Sequence, residues 1–322
     1  MSTSPRVLVL GGLGFIGANL CQRLVREGRQ VTAFSRSLAP HAELARSLAA
    51  NGAHIVEGDL GDADAIASAV AGQDVIVNLA GESGAVRSME APIADLDGNC
   101  RANLVLLDAI RAHNPDAKLV FVGSRLQYGK PSRLPVHEDH PRQAMCVHAV
   151  HKNTIEEYLR VYGELFGLRY TIARVTNPYG PGQPAGRVAY GVVNRMIHLA
   201  LDDRAMPIYG DGLQRRDYIH VADVAAAVIR LADSAAAESR AYNVGSGEGT
   251  ALIDMAKAII AIAGGGHVEH VAWPRLAEQI ETGDFVADIS RIEREIDWRP
   301  STSLRDGIEQ TVAFHRSRLP SS

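Results

Sequence analysis

Residues 7–17 read VLVLGGLGFIG, an apolar run that ends in a cluster of glycines. Val7–Leu10 has the length of a buried strand, and the apolar residues of Ile16–Arg26 recur at helical spacing. Gly11, Gly14 and Gly17 therefore fall in a strand–turn–helix context. Glycine permits a tight turn there and lets backbone N–H groups at the helix N-terminus approach a pyrophosphate. The stretch predicts a dinucleotide site; the alternative is a glycine turn without a ligand.

Further short apolar runs alternate with helical patterns along the chain. The candidate strands are Val31–Phe34, His54–Val56, Val75–Leu79, Leu119–Val122 and Tyr170–Ala173. The candidate helices include Ala65–Val70, Asn103–Ala112, Thr154–Phe166, Val224–Leu231 and Ile253–Ala263. Strands that alternate with helices predict parallel strands joined by right-handed crossovers. We therefore predict an α/β fold: a Rossmann-type, doubly wound parallel sheet with a smaller C-terminal α/β substrate lobe.

The alternation stops at the turn-rich segment NPYGPG, residues 177–182. We expect residues 1–176 to form the dinucleotide-binding domain, joined by a returning segment at about residues 212–244. Residues 177–211 and 245–322 would then form the substrate-binding lobe.

Composition excludes several classes of protein. The 322 residues carry a formal net charge of -4, which gives no electrostatic reason to expect a nucleic-acid partner. Cys21, Cys100 and Cys146 are isolated thiols without CxxC spacing, so we expect no metal site and no disulfide framework. The apolar run before Gly11 is far too short to span a membrane, and we expect no signal peptide. These features favour a cytoplasmic protein without a membrane partner.

The segment after the second predicted strand bears on the choice of cofactor. Ser35 stands where a site for NAD(H) usually carries an acid, and Arg36 follows it. An arginine can hold a 2′-phosphate by charge-assisted hydrogen bonds, which favours NADP(H) over NAD(H). The alternative is that Arg36 is a solvated loop charge.

Ten segments together carry a resemblance to a known family. In chain order they are GGLGFIG (11–17), GDL (58–60), NLAG (78–81), Asn99, SRLQYG (124–129), Lys152, NPYGPGQ (177–183), RDYIHVADV (216–224), YNVGSG (242–247) and ADISRIEREIDWRP (287–300). In this order and spacing, over essentially the whole chain, they resemble the extended short-chain dehydrogenase/reductases, in particular the nucleotide-sugar epimerases and dehydratases.

The resemblance implies ligands as well as a fold. It implies an NAD(P) site formed by Gly11, Gly14, Phe15, Ile16, Gly17, Arg36, Asp59, Leu60, Leu79, Ala80, Gly81, Asn99 and Lys152. It implies a nucleotide-diphosphate sugar held by Glu82, Ser124, Arg125, Asn177 and Arg216. It also implies a homodimer that pairs through the two long helices predicted at 103–112 and 154–166.

His148 departs from the family at the proton-transfer position. The segment HAVHK, residues 148–152, stands where the family carries Tyr-x-x-x-Lys, so the resemblance implies a catalytic set of Ser124, His148 and Lys152. A neutral imidazole can accept a hydroxyl proton, since its reference pKa of about 6.5 suits transfer near neutral pH. We favour His148 as the base. The alternatives are that Tyr128 or His151 takes over, or that the site binds ligands without turnover.

Two further departures bear on the reaction and the nucleotide. Arg125 and Leu126 fill places where related dehydratases and decarboxylases carry acids, and leucine cannot transfer a proton. This favours epimerisation by transient oxidation of a sugar hydroxyl, with an NADPH-dependent keto-sugar reductase and a catalytically silent NAD(P)-binding protein as alternatives. The segment at Glu281 lacks a second phosphate arginine found in some epimerases, so Arg275 or Arg187 would have to substitute and the nucleotide stays open.

Overall fold

The computed structural model describes residues 4–183 and 191–318, so Arg187 lies outside the described residues. The strands are β1 (Arg6–Leu10), β2 (Gln30–Ser35), β3 (His54–Glu57), β4 (Val75–Asn78), β5 (Lys118–Ser124), β6 (Arg169–Val175), β7 (Asn177–Tyr179), β8 (Ala205–Tyr209), β9 (Arg215–His220), β10 (Arg240–Val244), β11 (Gly249–Ala251) and β12 (His267–Val271). The helices are α1 (Phe15–Arg26), α2 (Ala42–Ala50), α3 (Ala63–Val70), α4 (Ala85–Glu90), α5 (Pro92–Leu96), α6 (Ala102–His113), α7 (Val147–Phe166), α8 (Val192–Leu201), α9 (Val221–Asp233), α10 (Leu252–Ala263), α11 (Arg275–Gln279), α12 (Ser290–Ile296) and α13 (Leu304–Arg316). A π-helical turn, Asp97–Arg101, precedes α6, and a 3₁₀ turn, Arg125–Tyr128, follows β5.

The central sheet contains seven parallel strands within the described residues, in the order β10-β6-β5-β4-β1-β2-β3. This arrangement confirms the predicted Rossmann-type, doubly wound α/β fold. The chain leaves β1 towards β2 and β3, then returns to place β4 on the other side of β1. Ligands of open α/β sheets bind at such a reversal, beyond the carboxyl ends of the strands. The topology therefore places a crevice where β1 and β4 end.

Both faces of this sheet are covered by helices. One apolar cluster packs α1, α2, α9 and α12 against the sheet, and a second packs α3, α6 and α7 against the opposite face. Strands buried on both faces read as continuous apolar runs rather than alternating ones. β4 is an example, since Val75, Ile76, Val77 and Asn78 are all buried. This burial explains why short apolar runs in the sequence were sufficient to predict β1–β6.

The rest of the chain forms smaller sheets and a separate apolar cluster. β9 pairs with β7 and β11, β8 pairs with β12, and α8, α10 and α13 pack together beside β8. β10 instead joins the central sheet beside β6. β10 and β9 both fall in the segment predicted to return, but β9 pairs in a smaller sheet, and the division of the chain stays a prediction.

The helix that carries the predicted catalytic residues begins earlier than its sequence pattern indicates. The apolar spacing predicts a helix from Thr154, whereas α7 begins at Val147. Its first two turns place His148 and Lys152 on the buried side, and these polar residues interrupt the apolar stripe by which a helix is recognised. Both residues therefore lie on regular helix, not on the loop before it.

The Glu156 carboxylate connects α7 to the sheet. It accepts hydrogen bonds from Arg174 of β6 at 2.6 and 2.9 Å, from Gln127 at 2.6 Å and from Arg142 at 2.6 Å. The side chains of Glu156 and Arg174 are 4% and 6% exposed. Gln127 also accepts a hydrogen bond from the backbone N–H of Ser124. One buried carboxylate thus connects α7, which carries His148 and Lys152, to β6 and to the turn that follows Ser124.

We expect Glu156→Gln to lower the free energy of unfolding by about 3–5 kcal/mol, because the buried Arg174 guanidinium would lose its counter-charge. Urea denaturation followed by circular dichroism measures this loss. Glu157→Gln is the matched control, since the neighbouring carboxylate is half exposed and should contribute less than about 1 kcal/mol. Equal losses in the two variants would contradict the role assigned to Glu156.

Candidate functional site

The glycine turn lies between β1 and α1 at the carboxyl edge of the sheet. Gly11 has a φ of +78°, and the N–H groups of Gly11 and Gly12 donate to the Phe34 carbonyl at 2.9 and 3.0 Å. Gly17 packs so closely that a Cβ there would overlap the Gly11 carbonyl oxygen. α1 starts after Gly14 without a side-chain cap, and its first turn contains no acidic residue. The positive end of the helix dipole is thus available to an anion, which fits a pyrophosphate.

The other predicted cofactor residues surround this turn. Phe15 and Ile16 form the first turn of α1 and are partly buried. Leu79–Gly81 follows β4 and lies against the glycine turn, because a Cβ at Gly11 would lie 3.0 Å from the Ala80 nitrogen. Asp59 is exposed and accepts a hydrogen bond from the Gly61 N–H at 2.8 Å, and Leu60 is buried in the core.

Arg36 forms an ion pair that the sequence did not indicate. Its guanidinium, at the end of β2, lies 3.0 Å from one oxygen of Glu82, and Arg87 of α4 lies 3.2 Å from the other. Glu82, predicted as a substrate contact, is therefore engaged by two arginines. The three side chains carry a formal net charge of +1, which is compatible with a phosphate. Arg87 was not singled out from the sequence, because nothing there shows that its side chain shares Glu82 with Arg36.

Asn99 lies behind the loop that it was predicted to share with the cofactor. Its side chain is fully buried and donates to the Glu82 carbonyl at 3.2 Å and to Asp95 Oδ1 at 3.0 Å. A Cβ at Gly81 would overlap Asn99 Oδ1, so loop and side chain are in close contact. The structure therefore gives Asn99 a supporting position and no exposed surface for a direct ligand contact, which differs from the prediction.

Ser124 and Lys152 both lie near the carboxyl end of β5. Ser124 is the last residue of the strand, and its Oγ accepts a hydrogen bond from the Leu126 N–H at 3.3 Å. A hydroxyl that accepts one hydrogen bond can still donate another. Lys152 Nζ donates to the Val122 carbonyl of the same strand at 3.1 Å and lies 4.6 Å from the centre of the Phe121 ring. Burial lowers the pKa of Lys152 to about 8.

His148 lies one helical turn before Lys152 and is 5% exposed. Its backbone N–H donates to Ser88 Oγ of α4 at 3.0 Å, which satisfies a free donor in the first turn of α7. Burial lowers the pKa of the imidazole below its ordinary value, and the charge of Lys152 acts in the same direction, while Asp95 opposes both. The ring is therefore neutral at pH 7 and able to accept a proton.

Asp95 is a buried carboxylate that the sequence analysis missed. It lies on α5, is 3% exposed, and its Oδ1 accepts a hydrogen bond from His151 Nδ1 at 2.6 Å. Its Oδ2 lies 3.7 Å from His148 Nδ1. Burial acts to raise the pKa of Asp95, but the two imidazoles and Asn99 outweigh it and leave the pKa below its usual value. No local pattern could have shown this, because Asp95 and His151 are 56 residues apart in sequence.

Tyr128, one of the alternative bases, is built into the core. Its side chain is fully buried; the hydroxyl donates to Asn243 at 2.7 Å and accepts from Arg174 at 2.9 Å. Burial raises its pKa to about 12. A phenol held in this way has no access to a substrate in the crevice, so Tyr128 has a structural role here.

Three of the predicted substrate residues, Arg125, Asn177 and Arg216, lie together between β5 and β9, away from Glu82. Arg125 donates to Asn177 Oδ1 and to Thr282 Oγ1, each at 2.9 Å. Burial, and next the charge of Arg216, lower the pKa of Arg125 to about 10. The Arg216 guanidinium forms an ion pair with Glu281, a residue that the sequence analysis had noted only for lacking an arginine. Arg275, the candidate substitute, is exposed at the start of α11.

Neither clustered metal ligands nor a membrane-spanning helix occurs in residues 4–183 and 191–318. These residues contain no group of three or more histidine, cysteine, aspartate or glutamate side chains suited to hold a metal ion. None of their helices combines the length and apolar character needed to cross a bilayer.

Solved structures of two sugar-nucleotide epimerases have the same fold as this chain. The structure of UDP-glucose 4-epimerase from Thermus thermophilus in complex with NAD superposes with a TM-score of 0.87, at 29% identity over 98% of this chain and 100% of that chain. UDP-N-acetylglucosamine 4-epimerase from Methanobrevibacter ruminantium M1, solved with UDP-N-acetylmuramic acid, gives a TM-score of 0.90 at 26% identity, with 98% and 100% covered.

Sequence comparison agrees with these similarities. The chain is 31% identical over 316 residues to UDP-glucose 4-epimerase of Mycolicibacterium smegmatis, which covers 97% of this chain and 99% of the relative. A family model described as the NAD dependent epimerase/dehydratase family matches residues 7–245. Because that match takes in the glycine turn, Ser124 and the start of α7, and extends through β10, the chain belongs to the NAD-dependent epimerase/dehydratase family.

Proposed function

We propose that this chain is an NAD(P)-dependent nucleotide-sugar epimerase that acts by transient oxidation of a sugar hydroxyl. The observation that carries the proposal is the position of the buried imidazole of His148, one helical turn from Lys152, which itself reaches the strand that ends in Ser124. Ser124 would hydrogen-bond the reacting sugar oxygen and His148 would accept its proton. Relatives named as 4-epimerases that match nearly the whole chain support this reaction class.

The residues present fit the cofactor that the family implies. The glycine turn and the first turn of α1 would hold the pyrophosphate, and Lys152 would hold the nicotinamide ribose. When bound, the nicotinamide would take up and return the hydride of the reacting carbon. The preference for NADP(H) rests on Arg36, which is 70% exposed at the end of β2 and could turn from Glu82 to a 2′-phosphate, with Arg87 nearby.

His148 remains the favoured base among the candidates. Tyr128 is enclosed in the core, and the Nδ1 atom of His151 is already held by Asp95. Burial, and after it the charge of Lys152, disfavour a positive charge on His148 and lower the pKa of its imidazole, so the ring is neutral and able to accept a proton. The same charge makes His148 a weaker base than free imidazole.

A nucleotide diphosphate is the ligand that suits the arginine cluster. Arg125 and Arg216 lie close enough for the charge of one to lower the pKa of the other, and such a pair is stabilised by a multiply charged anion. Glu281 supplies part of that negative charge in this structure. We therefore propose that a diphosphate group replaces the Glu281 carboxylate on Arg216.

A keto-sugar reductase is the second candidate. The arginines beside Glu82 favour it, because a site that selects NADPH suits net reduction. The two functions differ in stoichiometry: a reductase consumes one NADPH for each sugar reduced, whereas an epimerase regenerates its cofactor in every turnover.

We expect the wild-type chain, supplied with NADP⁺ or NAD⁺, to epimerise at least one member of a panel of UDP-, dTDP-, GDP- and CDP-sugars without net gain or loss of reduced cofactor, as measured by proton NMR of the sugar and absorbance of the reduced nicotinamide. His148→Ala should lower turnover by about 10²–10⁴-fold, the usual contribution of a general base. Fluorescence titrations with NADPH and NADH should show that the cofactor affinities of His148→Ala stay within about 3-fold of those of the wild-type chain.

The exposed His113→Ala serves as the matched control for loss of an imidazole. Unchanged turnover in His148→Ala would remove His148 from the mechanism. Stoichiometric loss of NADPH with a 4-keto sugar would favour the reductase, and a strong gain of activity in His148→Tyr would indicate a site that has lost its original phenol.

We expect Glu281→Gln to bind UDP about 2–5-fold more tightly, because the carboxylate that competes with UDP for Arg216 would be gone. The magnitude follows from the free energy of a partly exposed ion pair, which is up to about 1 kcal/mol. Isothermal titration calorimetry with UDP measures the change. Glu278→Gln alters an exposed carboxylate three residues away and should leave the affinity unchanged. Equal or weaker binding by Glu281→Gln would contradict the proposed exchange.

We also propose a homodimer through α6 and α7. α7 exposes Val161, Leu165 and Phe166 over its last two turns, with exposed fractions of 36%, 71% and 48%. Sedimentation velocity should give twice the monomer mass of 34.5 kDa. Leu165→Asp should shift the protein towards monomer, whereas Leu213→Asp, at a leucine that is also exposed, should not. A wild-type monomer at micromolar concentration would reject the proposal.

A further inference from the structure

The Asp95 carboxylate is a charged group in the candidate site that the proposed reaction does not yet use. It lies between two imidazoles on one face of α7, where His148 and His151 are three residues apart. One oxygen accepts hydrogen bonds from His151 Nδ1 and Asn99 Nδ2, at 2.6 and 3.0 Å. The other oxygen faces His148 Nδ1 at 3.7 Å. Burial of a carboxylate that is only 3% exposed costs free energy, which its interactions with the two imidazoles and Asn99 offset.

His148 Nδ1 is the atom that connects this carboxylate to the reaction. It is buried and has no hydrogen-bond partner among the described residues. Asp95 Oδ2 faces it from 3.7 Å, and a movement of less than about 1 Å would bring the pair within hydrogen-bond range. The hydrogen bond made by one ring nitrogen decides which nitrogen carries the hydrogen. A carboxylate accepts and cannot donate, so it selects the tautomer with hydrogen on Nδ1.

The surrounding charges make Asp95 the group that can support a protonated ring. The titratable groups around His148 are Asp95 on α5, Cys100 on the π-helical turn, Cys146 before α7, and His151 and Lys152 on α7 itself. Burial raises the pKa of Cys100 to about 11 and also raises that of Cys146, so both thiols are neutral at pH 7. Among the neighbouring side chains, Lys152 and His151 oppose the imidazolium, and only Asp95 favours it.

We infer that Asp95 is the positioning residue for proton transfer at His148: it holds the ring with hydrogen on Nδ1, leaves Nε2 free for the sugar hydroxyl, and offsets the positive charge that forms. The inference rests on the proposed function. In the forward step, the O–H bond of the sugar breaks and an N–H bond forms at Nε2, while the hydrogen on Nδ1 stays in place. When bound, an oxidised nicotinamide would supply the hydride acceptor for the hydrogen on carbon, and His148 Nε2 would return its proton to the sugar oxygen when the hydride comes back to the other face.

The tautomer of His148 in the wild-type chain tests the inference without any turnover. In protein labelled with ¹⁵N-histidine, long-range ¹H–¹⁵N spectra distinguish a protonated Nδ1 from a protonated Nε2, and His148→Gln identifies the signals. We expect Nδ1 protonated and Nε2 free near neutral pH. The opposite tautomer in the wild-type chain would overturn the inference, whether or not variants at Asp95 fold.

Asp95→Asn should change both the tautomer and the kinetics. An amide can donate to Nδ1, so the population with free Nε2 should fall, and kcat should drop by about 10²–10⁴-fold, as when the carboxylate of a catalytic triad is replaced. KM for the sugar nucleotide should stay within about 3-fold. Loss of the negative charge also lowers the pKa of His148 further, so the acidic limb of the kcat/KM profile should move to lower pH.

Asp97→Asn is the matched control, because this carboxylate, two residues on, is half exposed and pairs with Arg101 on the surface. It should leave the tautomer, kcat and the pH profile unchanged.

A second variant, His151→Gln, tests whether Asp95 serves only His151. If His151→Gln reproduces the kinetic loss while Asp95→Asn leaves the His148 signals unaltered, Asp95 is structural and the inference fails. A wild-type chain that turns over no nucleotide sugar rejects the proposed function, while the tautomer still reports on Asp95.

Discussion

The buried ion pair between Glu156 and Arg174 is the interaction on which the geometry of the site depends. Glu156 comes from the helix that carries His148 and Lys152, and Arg174 comes from the sheet. Gln127, which bonds both Glu156 and the backbone of Ser124, extends the connection to the turn after β5. A charge removed from water must be paired closely or it destabilises the fold, so these elements cannot shift independently. The candidate base and the candidate serine are thereby held in one rigid unit.

His148 has both a positively charged and a negatively charged neighbour. Lys152 on its own helix disfavours protonation of the ring, and Asp95 on α5 favours it. Burial weakens solvent screening, so both effects are stronger than they would be on the surface. Burial and Lys152 together still lower the pKa of the ring, so the contribution of Asp95 is to lessen the cost of the protonated state.

Sequence patterns predicted the parts of the molecule whose residues are adjacent along the chain or buried in a regular way. β1–β6 were recognisable because both faces of the central sheet are covered, and the glycine turn because its spacing is local. The start of α7 was missed, since His148 and Lys152 interrupt the apolar stripe. Asp95, Arg87 and Glu281 were missed for a different reason. Asp95 and Glu281 meet His151 and Arg216 through tertiary packing of segments that are distant in sequence, which a single sequence does not record. Arg87 and Glu82 are near in sequence, but no pattern shows that their side chains come together with Arg36.

The ion pair between Arg216 and Glu281 has a consequence for selectivity. A carboxylate tethered next to a guanidinium competes with free anions as if it were present at an effective concentration on the order of millimolar. Small, weakly held anions such as inorganic phosphate are therefore screened out, since each must displace the tethered group with few contacts of its own. A larger ligand that gains additional contacts along the crevice can complete the exchange. The pair would in this way favour ligands with many contacts over small anions.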